Sequence, residues 1–159
     1  GVQTCALPIS HRSSFSYILM DKESNYAIVE VTPRSIDIRY EPICTNHFEL
    51  LAHENRNYTK ESKERLERVI NTTRSDLRKE NAFKLFNDPQ YNIYSKLFKS
   101  WSGTIHTSLY EPQTLTTWIG LGENSSPTKI DFYQWLKNNT LTINQLNGKI
   151  DTDLTFATY

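Results

Sequence analysis

Ser14 to Tyr40 reads SFSYILMDKESNYAIVEVTPRSIDIRY, three apolar runs separated by two groups of turn-forming residues. Phe15, Tyr17 and Leu19 fall on one face of an extended segment that Asp21-Lys22-Glu23-Ser24-Asn25 then breaks, the pattern of a strand and a hairpin. Tyr26 to Val31 (YAIVEV) is rich in β-branched residues and apolar on both faces for most of its length, which predicts a strand inside a sheet. Pro33-Arg34-Ser35 turns the chain. Ile36, Ile38 and Tyr40 then alternate with Asp37, Arg39 and Glu41, so the third strand is expected to have one wet face, and Pro42 ends it.

Ile43 to Phe48 (ICTNHF) reads as a fourth short extended piece, with polar residues where a core strand would not hold them. A helix follows. Thr59 can cap it, Glu61 and Glu64 favour its positive end, and Ser62, Leu66, Val69 and Thr73 share a face at spacings of three and four. At about 100° per residue, Arg65 sits at the margin of that face while Lys63, Glu64 and Glu67 project elsewhere. Ala82, Phe83, Leu85 and Phe86 suggest a second helix, stopped at Asn87-Asp88-Pro89. Gly103 to Tyr110 and Leu115 to Leu121 form a late hairpin turned by Glu111-Pro112-Gln113, and Ile130 to Leu136 is a short amphipathic segment. Strands clustered around a helical block predict an α+β domain with helices on antiparallel sheet; a doubly wound parallel fold would need regular alternation. No repeat, low-complexity tract or internal domain boundary is visible. Residues 11–137 read as part of one domain and 138–159 as its polar tail.

Lys+Arg 18 against Asp+Glu 18 gives no electrostatic footprint for nucleic acid or an anionic membrane, so neither is an expected partner. No apolar run is long enough to span a bilayer. Hydrophobic content of 37% is lean, but 12% aromatic residues argue against disorder, because aromatics bury the most area per residue. Cys5 and Cys44 make neither a disulfide framework nor a zinc set, so no metal or cofactor is expected and a reducing, cytoplasmic setting is the default. Residues 1–10, GVQTCALPIS, read as the in-frame translation of a common sequencing-adapter oligonucleotide. On that reading Cys5 has no function, and the protein begins upstream of His11 with sequence that this chain lacks.

Cys44-Thr45-Asn46-His47-Phe48 places a thiol, an amide and an imidazole together, which raises a self-contained Cys44 thiol hydrolase as one alternative. Strand neighbours point to opposite faces, so Cys44 and Asn46 would share a side while His47 faces away, and the geometry opposes a local Cys-His pair. His47 with His53 or His106 matches no helical metal-ligand spacing, which favours structural histidines. The Asn-x-Ser/Thr triplets at Asn57, Asn71 and Asn124 carry no weight without a sign of secretion.

Thr45-Asn46-His47, then Ser62-Lys63-Glu64-Arg65-Leu66-Glu67-Arg68, then the hairpin from Gly103 to Gly122 form an ordered set. With the strands before it, this set resembles the C-terminal half of the linear amide C–N hydrolases over roughly residues 13 to 136. That group of N-terminal-nucleophile (Ntn) enzymes includes choloylglycine hydrolase, penicillin V acylase and acyl-CoA:6-aminopenicillanic acid acyltransferase. The resemblance implies a four-layer αββα sandwich, here partial and without its N-terminal half. It implies a small-molecule acyl-amide substrate, maturation that frees an N-terminal cysteine, and a base in that residue's own α-amine, which titrates at about 7.7 to 8.0. Asn46 matches the family's oxyanion-hole asparagine and Arg65 the arginine beside the nucleophile. Thr45, His47, Ser62, His106 and Ser108 are carried as site-lining candidates, Ser62 also as a residue that orients its neighbours, and Arg68 as a surface or supporting ion-pair former.

No cysteine of this chain matches the nucleophile. Its place precedes His11, so the fragment is expected to be inactive and, with unpaired strand edges and an uncovered apolar sheet face, unstable alone. The parent protein is expected to hydrolyse or transfer linear amides, with a homo-oligomer of the full-length protein among the expectations. The alternative from another class is a non-catalytic α+β binding or structural domain.

Overall fold

The order of elements in the computed structural model is β1 (Phe15–Met20), β2 (Tyr26–Val31), β3 (Ile36–Arg39), α1 (Lys60–Thr73), α2 (Lys79–Asn87), β4 (His106–Glu111), β5 (Thr116–Leu121), β6 (Thr128–Asp131) and α3 (Phe132–Asn138). The structure describes residues 14–55, 59–73, 78–100, 103–141 and 143–154. The adapter-like segment with Cys5, the Asn57 triplet and the Thr73 side chain lie outside the described residues. The architecture is α+β, with two small antiparallel sheets, ordered β1-β2-β3 and β4-β5-β6. The chain divides into two compact units, residues 1–20 with 25–66 and residues 67–159 with 21–24, the boundary falling inside α1.

In the first unit β2 is the central strand, as its two-sided apolar pattern predicts, pairing Phe15↔Val31 through Met20↔Tyr26 on one side and Ile28↔Arg39 on the other. Ile28, Val31, Phe48 and Leu51 are buried here. β3 departs from the expected alternation: Asp37 and Glu41 are exposed as expected, but Arg39 is not. Arg39 is buried while Ile36, Ile38 and Tyr40 are exposed, because Arg39 Nε donates to the fully buried Glu30 carboxylate at 3.0 Å. Phe15, Ile18, Leu19 and Met20 on β1 are also exposed, so both faces of the edge strand show apolar surface. Thr32 makes the Pro33 turn, its hydroxyl accepting from the amides of Arg34 (3.1 Å) and Ser35 (2.9 Å). Ile43 to Phe48 is a further correction: it is irregular, with bends at Asn46 and His47 and no strand.

α1 follows the expected wheel. Ser62 and Val69 are buried, Leu66 and Arg65 half-buried, and Lys63 and Glu67 exposed. In the second unit the late hairpin pairs His106↔Leu121 through Glu111↔Thr116, and β6 adds a third strand that the sequence reading missed. α3 begins directly after β6, capped by Asp131, whose carboxylate accepts from Gln134 N at 2.9 Å. α2 stops at Asn87 as expected, and the Asn87 side chain organises what surrounds it. Its Nδ2 donates to Gly122 O (2.7 Å) and Thr107 Oγ1 (3.3 Å), and its Oδ1 accepts from Ser125 N (2.7 Å). Gly122 is required at its position, since its φ is +79° and a Cβ would stand 1.8 Å from Lys149 O.

Asn87 is 2% exposed, so Asn87→Ala leaves buried donors and acceptors without partners. The expected loss is about 1 to 3 kcal/mol of stability, read as a lower urea midpoint at unchanged m. No helix among the described residues is long and apolar enough to cross a membrane.

Candidate active site

The loop after β3 carries the candidate residues, and side chains hold its backbone where a sheet ladder would otherwise do so. Glu30 Oε1 accepts from Glu49 N (2.9 Å), and Oε2 from Leu50 N and Leu51 N (3.0 Å each). Asn55 brackets Phe48, Oδ1 accepting from its amide at 2.8 Å and Nδ2 donating to its carbonyl at 2.7 Å. Arg39 completes the support, with Nη1 donating to Glu41 and to Ile43 O at 3.3 Å each, and Nη2 forming an ion pair with Glu49 at 3.2 Å. Burial raises the Glu30 pKa, but the amides of Glu49 and Leu51 and the Arg39 guanidinium outweigh it, so the net value is lowered and Glu30 stays ionised.

Ser62, in the first turn of α1, ties this loop to the helix. Its Oγ accepts from His47 N at 3.0 Å and donates to Thr45 Oγ1 at 2.9 Å, and it stands 2.9 Å from His47 Nδ1. Thr45 Oγ1 in turn donates to Ser62 O at 3.0 Å and contacts His47 Nδ1 at 3.0 Å. The residues on either side of Asn46 are therefore both fastened to one serine. Burial pushes the His47 pKa down, with the Glu49 carboxylate pulling the other way and Lys63 and Arg39 adding to the depression, so the imidazole is neutral.

Asn46 lies outside this cluster, although the segment is no strand and strand alternation is not the reason. It is exposed, and its Oδ1 accepts from Arg65 Nη2 at 2.7 Å. A guanidinium has donors only, so the atom facing Arg65 must be the amide oxygen. The amide orientation is thereby fixed. Nδ2, with both its protons, has no partner among the described residues and is accessible as a donor. The contact joins two separate elements, the loop after β3 and α1.

Thr45, His47 and Ser62 are thus brought together beside the Asn46–Arg65 pair. Arg68 lies on the α1 portion in the second unit and donates to Asn92 O at 3.0 Å. His106 and Ser108 are also in the second unit, at alternate positions of β4, where His106 is exposed and Ser108 half-buried. Cys44 is half-buried and makes no hydrogen bond among the described residues, and burial pushes its thiol pKa up, Arg39 pulling against it. A thiol in that environment stays protonated, and the nearby His47 Nδ1 is committed to Thr45 and Ser62. No group of three His, Cys, Asp or Glu side chains that could hold a metal ion occurs among the described residues. The residue that sequence reasoning missed is Glu30. Its signal was present, as the one carboxylate inside the otherwise apolar YAIVEV run.

The pair leaves an exposed carboxamide N–H donor, held by an arginine, on an α+β scaffold. The model of the acyl-coenzyme A:6-aminopenicillanic acid acyl-transferase family matches residues 4–126, and the chain belongs to that family. The matched region runs through β5 and ends before β6 and α3. No match was found among curated proteins or among solved structures.

Proposed function

We propose that this chain supplies the oxyanion-binding half of a cysteine Ntn hydrolase or acyltransferase acting on linear amides. The observation that carries the reading is the 2.7 Å contact from Arg65 Nη2 to Asn46 Oδ1, which leaves Asn46 Nδ2 free to donate. In the proposed reaction an N-terminal cysteine, encoded upstream of His11, attacks the acyl carbonyl with its α-amine as base. Asn46 Nδ2 donates to the tetrahedral oxygen, the leaving amine departs with the proton held by the α-amine, and water or an acceptor amine then takes the acyl group from sulfur. Arg65 has two roles in this scheme. It orients the amide, and its charge favours thiolate over thiol on the neighbouring sulfur. The partial αββα sandwich, with two sheets enclosed by helices once the upstream half is present, belongs to the same proposal, as do the lining positions His106 and Ser108.

Mass spectrometry of the purified product of a complete gene tests the reading directly. The expected result is a mature chain whose first residue is cysteine and which releases amine from a simple acyl-amide. Cys44→Ala in that protein is expected to leave turnover unchanged, and abolition of turnover would assign the chemistry to Cys44 instead. Removing the guanidinium with Arg65→Ala is expected to lower kcat by about tenfold or more through a disordered Asn46 amide, with partial recovery in Arg65→Lys.

A further inference from the structure

The sequence contains a single Asn-Gly pair, Asn147-Gly148, and it falls in the irregular stretch after α3, where both residues are exposed. Whether an asparagine is chemically durable depends on the residue that follows it. The backbone nitrogen of that residue can attack the side-chain carbonyl carbon when it is free of hydrogen bonds and no Cβ hinders its approach. Several asparagines of this chain are protected in that respect. The amide after Asn46, that of His47, donates to Ser62 Oγ at 3.0 Å, and the amide after Asn124, that of Ser125, donates to Asn87 Oδ1 at 2.7 Å. The amides after Asn87 and Asn138 are held by Lys84 O at 2.9 Å and Trp135 O at 2.7 Å. Gly148 N has no acceptor among the described residues, and the Asn147 side chain has no partner among them.

Packing fixes the glycine of this pair. A Cβ on Gly148 would collide with Leu121 Cβ and stand 2.5 Å from Leu121 O, and a Cβ on Gly122 would collide with Lys149 O. The backbone of residues 148 and 149 therefore lies directly on the end of β5, an approach that a glycine on each side permits. A larger residue at 148 would break that seat, so the position keeps the least hindered nitrogen a backbone offers. Past the seat, the stretch is tied down by Lys96 to Asp151 at 3.2 Å and Lys99 to Asp153 at 3.0 Å, exposed ion pairs of the kind that hold little.

We infer that Asn147 is a site of spontaneous covalent modification: it deamidates through a cyclic imide with Gly148, and the isoaspartate product lifts residues 148 and 149 from the end of β5. Gly148 N forms a bond to Asn147 Cγ, the Cγ–Nδ2 bond breaks, and ammonia leaves with the proton that Gly148 N gave up. Water then opens the imide at one of its two carbonyls, giving aspartate, or isoaspartate in which the main chain runs through Cβ. The net change is an amide and a water to a carboxylate and an ammonium ion, with nothing oxidised or reduced. Isoaspartate lengthens the main chain next to Gly148, where Leu121 leaves no room to absorb the extra carbon. The site does not depend on the reaction proposed at Asn46.

The complete gene product, aged in mildly alkaline buffer both folded and unfolded in guanidinium, tests this by mass spectrometry of its peptides. Folding is expected to change the Asn147 rate by less than about threefold and to slow Asn124 by at least about tenfold, the factor one retained hydrogen bond supplies. Asn147→Gln is expected to remove the acidic charge variant that forms first. The purified isoaspartate form, kept native, is expected to be cut after Lys149 by a lysine-specific protease at least about tenfold faster than fresh protein, because the seat no longer limits local opening. Folding that slows Asn147 as much as Asn124, or equal cleavage of the aged and fresh forms, would overturn the inference.

Discussion

Asn46→Ala in the complete protein is expected to lower kcat/KM for an acyl-amide by a factor of about 100 to 1000 while leaving the melting temperature within a degree or two, roughly the range of a surface change. The large kinetic effect follows from where the donor acts. In the proposed reaction Nδ2 is held by Arg65 before substrate arrives, so no reorganisation would be needed as charge develops on the carbonyl oxygen, and losing such a donor typically removes about 3 to 4 kcal/mol of transition-state stabilisation. The small thermal effect follows from exposure, since Asn46 is exposed and its contact with Arg65 is an exposed one. Asn46→Asp separates orientation from donation. The carboxylate keeps the Arg65 contact and loses the N–H donors, so its rate is expected to match that of Asn46→Ala. A binding scaffold would show little functional loss in either variant, and that result would remove the enzymatic reading.

How much of this was legible in the sequence depends on the range over which each group finds its partner. β2 was legible because β-branched, apolar residues on both faces of YAIVEV need cover from strands and core alike. The α1 wheel was legible too, and it put Arg65 at the margin of the buried face, where it meets Asn46. β6 was not: Thr128–Asp131 is four residues, TKID, with little apolar signal, and its strand character comes from pairing with β5. The Ile43–Phe48 segment was misread for the same reason in reverse. Its extended residues imitate a strand, but the amides of His47 and Phe48 go to the side chains of Ser62 and Asn55. A local pattern contains no trace of those acceptors. Arg39 shows the same limit, since alternation assigned it to water, and its burial is made tolerable by the Glu30 carboxylate on the neighbouring strand together with Glu41 and Glu49. The Thr45-Asn46-His47 motif could be recognised as a unit, whereas the role of Ser62 as the shared anchor of both flanking residues emerges only in three dimensions.

Glu30→Ala is expected to have the largest effect on stability, about 3 to 5 kcal/mol, enough to leave the first unit unfolded or molten in many conditions. Glu30 is fully buried and receives the amides of Glu49, Leu50 and Leu51 together with Arg39 Nε. Removing the carboxylate takes the Nε partner from the buried guanidinium, which keeps Glu41, Ile43 O and Glu49, and leaves three loop amides without their acceptor, so the loop that positions Asn46 loses its anchor. Glu30→Gln keeps the shape and one acceptor oxygen, so it is expected to be destabilised less than Glu30→Ala, and Arg39→Ala, which leaves the amide bonds in place, should also fall below it. The pH dependence has a definite sign. The folded pKa of Glu30 lies below its ordinary value, so its contribution is fully present above the ordinary carboxylate range and is lost as pH falls through the lowered folded value. His47 acts in the same direction at higher pH. Its folded pKa is depressed by burial, so the unfolded chain takes up a proton first, and stability declines as pH falls below the ordinary imidazole value. Denaturant melts of the wild type are therefore expected to lose stability in two stages on acidification, the lower stage being smaller in Glu30→Gln, where Glu54 and Glu111, also held below the ordinary carboxylate value, still titrate. A Glu30→Gln variant with an unaltered acid limb would show that the loop after β3 is held by something other than this carboxylate.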